Sequence, residues 1–205
     1  MPRVTGCAAL LAAVFLIASC SSSSTTSTTS PTSSDTGDPP RSSGASQVSA
    51  GPTTFTSAAY GYTLTVPAGW TSRQAIEKWD IHSELDGTSV LVDLFGEPSV
   101  SRGAFAAAAP WKRDLAAFTT YLIASNAHYH ESCPPRPNTR NRVTIGGQPG
   151  VLLAYNCGIL VDIALTVHRR VGYLLTFVDQ GVAAATDPTD HATFLRILTS
   201  VHFPD

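Results

Sequence analysis

Residues 159–179, ILVDIALTVHRRVGYLLTFVD, decide the fold. Two long runs rich in β-branched and aromatic side chains flank a short segment from Arg169 to Gly172, which is typical of a β-hairpin. The preceding residues 142–157, RVTIGGQPGVLLAYNC, show the same pattern around a Gly/Pro turn. We therefore predict four consecutive strands in an antiparallel sheet.

The amino-terminal half of the domain contains further strand candidates. In residues 55–70, FTSAAYGYTLTVPAGW, alternating side chains define one face of a strand, which ends at a Pro-Ala-Gly turn: Tyr60, Tyr62, Leu64 and Val66. Trp70 follows and is expected to pack back into the core. Residues 79–85, WDIHSEL, and 89–96, SVLVDLFG, are predicted as a strand pair joined by a tight turn at Asp86–Gly87.

Two segments have helical periodicity. Residues 109–127, APWKRDLAAFTTYLIASNA, place Pro110 at a first-turn position and carry one apolar stripe: Trp111, Leu115, Phe118 and Leu122. A closing helix is predicted where Asp187 precedes Pro188 and Asp190, because acidic groups favour the positive end of the helix dipole. Its buried face consists of Phe194, Leu195, Ile197, Leu198 and Val201. Hairpins with two separated helices predict an α+β fold, an antiparallel β-sheet with helices packed on it.

An apolar segment near the amino terminus stops at a cysteine. It runs from Gly6 to Ser19 after one positive charge, and it is shorter than the roughly 20 residues that span a bilayer, so residues 1–19 are interpreted as a signal peptide. The sequence Ile-Ala-Ser-Cys that ends at Cys20 resembles the bacterial lipobox. The resemblance implies lipidation of Cys20, with a diacylglyceryl thioether, cleavage before it and palmitate-type acylation of the new amino terminus. An uncleaved signal anchor, or an ordinary signal peptide with a chance cysteine, is the alternative.

The segment that follows, residues 20–52, is predicted to be a disordered tether. It consists mainly of Ser, Thr, Gly and Pro, so it cannot bury enough apolar surface to offset its ordering entropy. A flexible chain of about 30 residues has a root-mean-square reach on the order of 30 Å. We therefore expect residues 53–205 to form one globular domain that is held at the outer face of the cytoplasmic membrane.

Charge excludes some partners. The chain has 13 Lys and Arg against 15 Asp and Glu, and only two of each sign precede residue 53, so the domain is close to neutral. A domain without a basic surface bias is not expected to bind nucleic acid.

Two cysteines remain in the exported domain, Cys133 and Cys157. Thiols outside the cytoplasm usually pair, so we predict a disulfide between them. It would pin the Pro-rich loop from His130 to Arg142, HESCPPRPNTRNR, to the strand that ends at Cys157.

The order of these parts resembles the PsbP-like α/β/α family, and in particular lipoproteins of actinobacterial envelopes. The segments that carry the resemblance are YGYTLTVPAGW (residues 60–70), VTIGGQPGVLL (143–153) and FLRILTSVHF (194–203), and it covers nearly all of residues 54–204. The resemblance implies a non-enzymatic binding or assembly domain, with no shared catalytic residue. No cofactor is expected.

Few residues suggest chemistry. His128, His130 and Cys133 could form a soft-metal site, but a disulfide would remove the sulfur and surface histidines are more often solvated, so no metal is expected. Asp80 and His82 could act as an acid/base pair with a third group, but the polar outer face of a strand is the favoured interpretation. The sequence His168-Arg169-Arg170 is a basic hairpin tip. No familiar catalytic motif is present, but catalytic triads are dispersed in sequence.

The leading functional hypothesis is a lipid-anchored, non-catalytic binding module that contacts envelope proteins or wall components. A carrier of a lipid or small apolar ligand, held between sheet and helix, is the alternative, and an envelope hydrolase with a dispersed site is a third. The loop from His130 to Arg142 is the candidate contact surface, because it concentrates three arginines, Arg136, Arg140 and Arg142. A pinned connection with solvated arginines is the competing interpretation.

Overall fold

The computed structural model describes residues 50–85, 87, 89–97, 102–130, 132–179 and 188–205. In chain order, its elements are β1 (Thr53–Thr56), β2 (Thr63–Val66), β3 (Thr71–Arg73), β4 (Asp93–Glu97), β5 (Arg102–Pro110), α1 (Leu115–Tyr129), β6 (Thr139–Ile145), β7 (Gln148–Asn156), β8 (Leu160–His168), β9 (Val171–Asp179) and α2 (Pro188–Thr199). Neither α1 nor α2 is both long and apolar enough to cross a bilayer.

One antiparallel sheet contains seven strands in the order β3-β4-β5-β9-β8-β7-β6, and β1 and β2 form a separate hairpin. The β8–β9 hairpin pairs Leu160 with Asp179 at one end and His168 with Val171 at the other. Strand β7 pairs with β8 and with β6, so the predicted succession of four antiparallel strands is confirmed. Strand β5 pairs along the other side of β9.

Both faces of the large sheet are buried, and successive residues of its central strands alternate between them. One face of β9 packs against α2 through Tyr173, Leu175, Phe177, Phe194, Ile197 and Leu198. The opposite face packs against α1 through Ala107, Leu165, Leu174, Phe118 and Leu122. The α+β prediction is therefore confirmed: a mostly antiparallel sheet carries two helices. The predicted Asp187 cap lies outside the described residues.

Strand β5 is absent from the sequence prediction, because its sequence, RGAFAAAAP, has high helix propensity. Its alanines are buried on both faces, where small side chains leave room for the aromatic residues and α1, so tertiary packing overrides local preference. The placement of Pro110 in a helix is wrong. Pro110 ends β5 opposite Val171, and α1 begins at Leu115 after Asp114, whose Oδ1 accepts a hydrogen bond from the Ala117 N–H at 2.8 Å.

The predicted strand at residues 79–85 is also wrong. Asp80 organises a local turn, because its Oδ1 accepts from the His82 N–H at 3.1 Å and its carbonyl accepts from the Ser83 N–H at 2.8 Å. Residue 86 lies outside the described residues. Strand β4 begins only at Asp93, and it pairs with β3 and β5.

Residues 55–70 form a hairpin rather than one strand. Tyr62, Leu64 and Val66 are buried on one side of β2 as predicted, whereas Tyr60 lies in the turn before it. Trp70 is buried and stacks on Phe177 with ring centroids 6.4 Å apart, so its predicted core position is confirmed.

Candidate functional site

Helix α1 contacts the sheet closely in its amino-terminal half. Phe118 is fully buried, and a Cβ atom at Gly172 of β9 would lie 2.6 Å from two atoms of its ring. Strand β9 can therefore pass beneath this ring only with glycine at position 172. Closer to its carboxyl end, α1 faces a cavity that separates it from the sheet.

This cavity, the α1 cavity, has a volume of about 280 Å³ and a predominantly apolar lining. Its floor is the α1-facing side of β5, β7, β8 and β9: Phe105, Leu153, Ile163 and Leu174 are among its residues. Helix α1 contributes Leu122, Ser125, Asn126 and Tyr129 to its roof. A concave apolar space with a few polar groups is the usual form of a small-molecule site.

The segment at residues 79–85 closes one side of the α1 cavity. Trp79, Ser83 and Leu85 line it, and two tyrosines of α1 hold the segment in place. Tyr121 Oη donates a hydrogen bond to the Ile81 carbonyl at 2.8 Å, and Tyr129 Oη donates to the His82 carbonyl at 3.2 Å.

Asp80 and His82 belong to this wall. His82 Nδ1 lies 3.1 Å from Tyr121 Oη, while Asp80 stabilises the turn. Both residues of the hypothetical acid/base pair therefore make contacts that hold this wall in place.

A disulfide forms another wall. Cys133 and Cys157 are bonded, as the sequence predicts, and both line the α1 cavity. The bond joins the segment after α1 to the turn between β7 and β8. It also removes the Cys133 sulfur from the hypothetical metal site with His128 and His130, and no group of three metal-binding side chains occurs among the described residues.

Three residues that line the α1 cavity each carry a buried polar atom without a hydrogen-bond partner in the described part of the chain: Asn126 Nδ2, Tyr155 Oη and Thr176 Oγ1. The three atoms themselves have almost no accessible surface, so the residues line the cavity through their other atoms. Tyr155 and Thr176 are each 2% exposed. Burial raises the pKa of the Tyr155 phenol above its usual value, so the group stays neutral and can donate a hydrogen bond. An unpaired buried polar group costs about 1–3 kcal/mol, so these residues lower the stability of this side of the sheet.

Sequence reasoning missed these three residues. A signal was present, because Thr176 interrupts the apolar run YLLTFV and Tyr155 ends the run VLLAY, and a polar atom in such a run needs a buried partner.

The three predicted contact arginines are exposed, but the loop that was expected to hold them is shorter than predicted. Strand β6 begins at Thr139, so Arg140 and Arg142 lie on one face of an edge strand and only Arg136 remains in the loop. The β6 strand forms because residues 139–145 pair with β7 along their whole length. The predicted signal peptide, Cys20 and nearly all of the tether lie outside the described residues.

Comparison with solved structures finds the same architecture elsewhere. The solution structure of cyanobacterial PsbP (CyanoP) from Synechocystis sp. PCC 6803 superposes with a TM-score of 0.53, covering 76% of this chain and 94% of that chain. The fold is PsbP-like. The sequence identity is 13%, so this likeness concerns the architecture alone.

Other comparisons add nothing to the PsbP-like assignment. A crystal structure from Bacteroides thetaiotaomicron aligns over 70% of this chain and 45% of that chain, with 13% identity and a TM-score of 0.38, which is too low to carry an argument. No protein-family profile and no curated protein sequence matches the chain.

Proposed function

We propose that this chain is an exported lipoprotein, anchored at Cys20 to the outer face of the cytoplasmic membrane, whose domain is a non-catalytic module that binds a small apolar ligand in the α1 cavity. An α/β/α sandwich of the PsbP-like kind would place this cavity between one helical layer and the sheet. The scarcity of Lys relative to Arg and the abundance of Ala, Gly, Pro and Thr are typical of a GC-rich genome and favour an actinobacterial envelope origin.

The observation that carries the proposal is the α1 cavity, a space of about 280 Å³ with a predominantly apolar lining between α1 and the sheet. Protein interiors are normally close-packed, with few voids larger than a water molecule. A domain that acted only through its surface would gain nothing from such a space. Ligand binding makes use of it, so the carrier hypothesis has more support than surface contact alone.

A cavity-filling variant tests ligand binding. In Ser125→Phe, the new ring would enter the cavity from α1 and occupy on the order of half its volume, since an engineered cavity of about 150 Å³ holds benzene. Ala124→Phe is the matched control, because Ala124 is the exposed neighbour on the same helix and does not line the cavity. Both variants add the same side chain to the same element.

Native mass spectrometry of the chain purified from its own cells should show a bound small molecule in the parent and in Ala124→Phe. The Ser125→Phe variant should lack it. Equal retention by the two variants, or no retained molecule in any of the three proteins, would contradict the proposed function.

Membrane anchoring is tested separately. Replacing Cys20 with Ser should leave a larger, unprocessed precursor, because the lipidated cysteine directs cleavage. An unchanged size and unchanged partitioning into detergent would show that Cys20 is not the anchor.

Partner contact through the exposed arginines has its own test. Replacing Arg136, Arg140 and Arg142 together with Ser should leave thermal stability nearly unchanged, because exposed substitutions usually change it little. The same variant should lose crosslinks to envelope partners. Crosslinks that survive would place the contact surface elsewhere.

A further inference from the structure

We infer that the end of the domain that carries the β8–β9 turn binds the anionic lipid headgroups of the membrane to which the chain is anchored. This surface, the basic end, consists of four exposed cations: Lys112, Arg113, Arg169 and Arg170. The inference rests on the anchoring part of the proposed function. It concerns a surface that lies outside the α1 cavity and outside the arginine cluster of the loop and β6.

The β8–β9 turn carries arginines where its backbone favours other residues. His168 pairs with Val171, so Arg169 and Arg170 form a two-residue loop, and their φ angles are 47° and 64°. Glycine and asparagine adopt positive φ angles at the lowest cost, and Asn-Gly is the usual pair in such a turn. Two arginines lower the stability of this turn, so their side chains are expected to have a role outside folding.

A second pair of cations lies beside this turn. The Trp111 N–H donates a hydrogen bond to the Arg170 carbonyl at 2.7 Å, so the segment between β5 and α1 is held against the tip of the hairpin. The ring of Trp111 also packs on Phe118, with ring centroids 5.3 Å apart. Lys112 and Arg113 follow Trp111 directly and are exposed. Two segments that are distant in sequence therefore present their cations at one end of the sheet.

The acidic residues that the structure describes do not neutralise the basic end. Asp179 lies at the far end of the nine-residue strand β9, about 27 Å from the turn. Exposed charges that are farther apart than about 10 Å are largely screened at 0.1 M salt. Asp114 is nearer, but its carboxylate accepts from the Ala117 N–H at the start of α1. Asp205 follows Phe203, which packs in the cluster on the α2 side of the sheet.

Charge and position favour a membrane surface as the partner. Residues 21–49 separate Cys20 from the described domain, and a flexible chain of about 30 residues has a reach on the order of 30 Å. An anchored domain meets the headgroups within that reach at a high effective concentration, so weak contacts are sufficient. Cations on two exposed turns suit a flat array of negative charges, where each Lys or Arg strengthens binding about fivefold.

The two lysines of the chain make the inference measurable. Lys112 belongs to the basic end, and Lys78, which is exposed in the segment before Trp79, is the internal reference. The full chain, purified from its own cells, is added to preformed vesicles of phosphatidylcholine, with or without phosphatidylglycerol. Brief reductive methylation with formaldehyde, an uncharged reagent, and peptide mass spectrometry then give the rate at each lysine. On the anionic vesicles, methylation of Lys112 relative to Lys78 should slow at least about threefold, and high salt should remove the difference.

The basic-end variant, Arg113→Ser/Arg169→Asn/Arg170→Gly, removes three of the four cations and keeps Lys112 as the probe. The new turn residues suit its positive φ angles, so the variant should fold at least as stably as the parent. Loss of three cations should weaken the contact by more than about a hundredfold. Methylation of Lys112 relative to Lys78 should therefore be equally fast on both kinds of vesicle.

A matched control removes the same charge from another surface. Arg136→Ser/Arg140→Ser/Arg142→Ser also replaces three exposed arginines, so the two variants have the same net charge. This control should protect Lys112 on anionic vesicles as the parent does. Comparison of the two variants therefore distinguishes contact through the basic end from a general effect of charge.

The outcomes distinguish this inference from the proposed function. If the chain floats with both kinds of vesicle and Lys112 is methylated equally on both, the anchoring stands and the inference is overturned. Protection that persists in the basic-end variant, or that the control also loses, overturns it as well. Protection of Lys112 in intact envelopes but not on anionic vesicles would assign the basic end to a protein partner instead. A chain that floats only with anionic vesicles, and only while the basic end is intact, supports the inference and contradicts anchoring at Cys20. A chain that floats with neither contradicts both.

Discussion

Removal of the Cys133–Cys157 disulfide should affect both the stability of the domain and the wall of the α1 cavity. The double variant Cys133→Ser/Cys157→Ser opens a covalent loop with a sequence separation of 24 residues. In the chain-entropy account, a loop of this length stabilises the folded state by roughly 3.5 kcal/mol.

Other contacts hold the disulfide-bonded loop in place, so the folded structure should change little when the bond is removed. Asn138 holds the same loop to β7, because its N–H donates to the Ala154 carbonyl and its Oδ1 accepts from the Asn156 N–H, each at 2.8 Å. The loop should therefore stay in place, and the loss should be about 2–3.5 kcal/mol, mostly through the unfolded state. The α1 cavity loses one wall contact, so its affinity for its ligand should fall as well.

Urea unfolding measures the first effect. With a slope of about 2 kcal/mol per molar urea, the midpoint of the double variant should fall by roughly 1–1.7 M. Reduction of the parent protein is the second route to the same state and should shift the midpoint equally. A shift below about 0.3 M in both experiments would refute the reasoning, because the disulfide would then restrict neither the folded nor the unfolded chain.

Three other changes have defined outcomes. Arg169→Asn/Arg170→Gly should raise the free energy of unfolding by about 1–2 kcal/mol, because both arginines have positive φ angles, 47° and 64°; an unchanged urea midpoint would argue against this turn. Asp93→Ala should lower the free energy of unfolding by about 2–6 kcal/mol, about 1–3 for each donor left unpaired, since the buried Asp93 side chain accepts from Tyr62 Oη and a main-chain N–H, each at 2.7 Å; a loss under about 1 kcal/mol in the same assay would contradict these bonds. Burial, with a smaller contribution from Asp93, raises the pKa of Tyr60 to about 12, so stability should be retained below pH 10 and lost as pH rises towards 12; a tyrosinate absorbance step near pH 10 in the folded chain that disappears in Tyr60→Phe would disprove it.

The hairpins were predictable because their information is local. Strands β6 to β9 follow one another in sequence and pair with their immediate neighbours, and the Gly146-Gly147 turn has positive φ angles that suit glycine. Helix α1 was predictable for a similar reason, since Phe118 and Leu122 recur at helical spacing and are both buried.

The parts that failed depend on distant contacts. Strand β5 forms because its alanines pair with β9, about 70 residues later in the chain, and nothing near Ala106 in sequence signals this pairing. The segment at residues 79–85 alternates like a strand, yet Asp80 folds it into a turn that α1 then holds.

The cavity itself could not have been inferred from periodicity. Its size depends on the distance between α1 and the sheet, which in turn depends on the contact between Phe118 and Gly172, the disulfide and the wall around Trp79. Thr176 within one apolar run and Tyr155 at the end of another are the sequence features that could have drawn attention to this face of the sheet.

A crystal structure of the chain purified from the cells that make it would test the central claim most directly, because the α1 cavity can then be inspected with its natural occupant. We predict continuous density for one small molecule between α1 and the sheet, in contact with Phe105, Leu153 and Ile163. Ordered water molecules alone in the cavity, or a collapsed cavity in which α1 lies directly on the sheet, would contradict the claim.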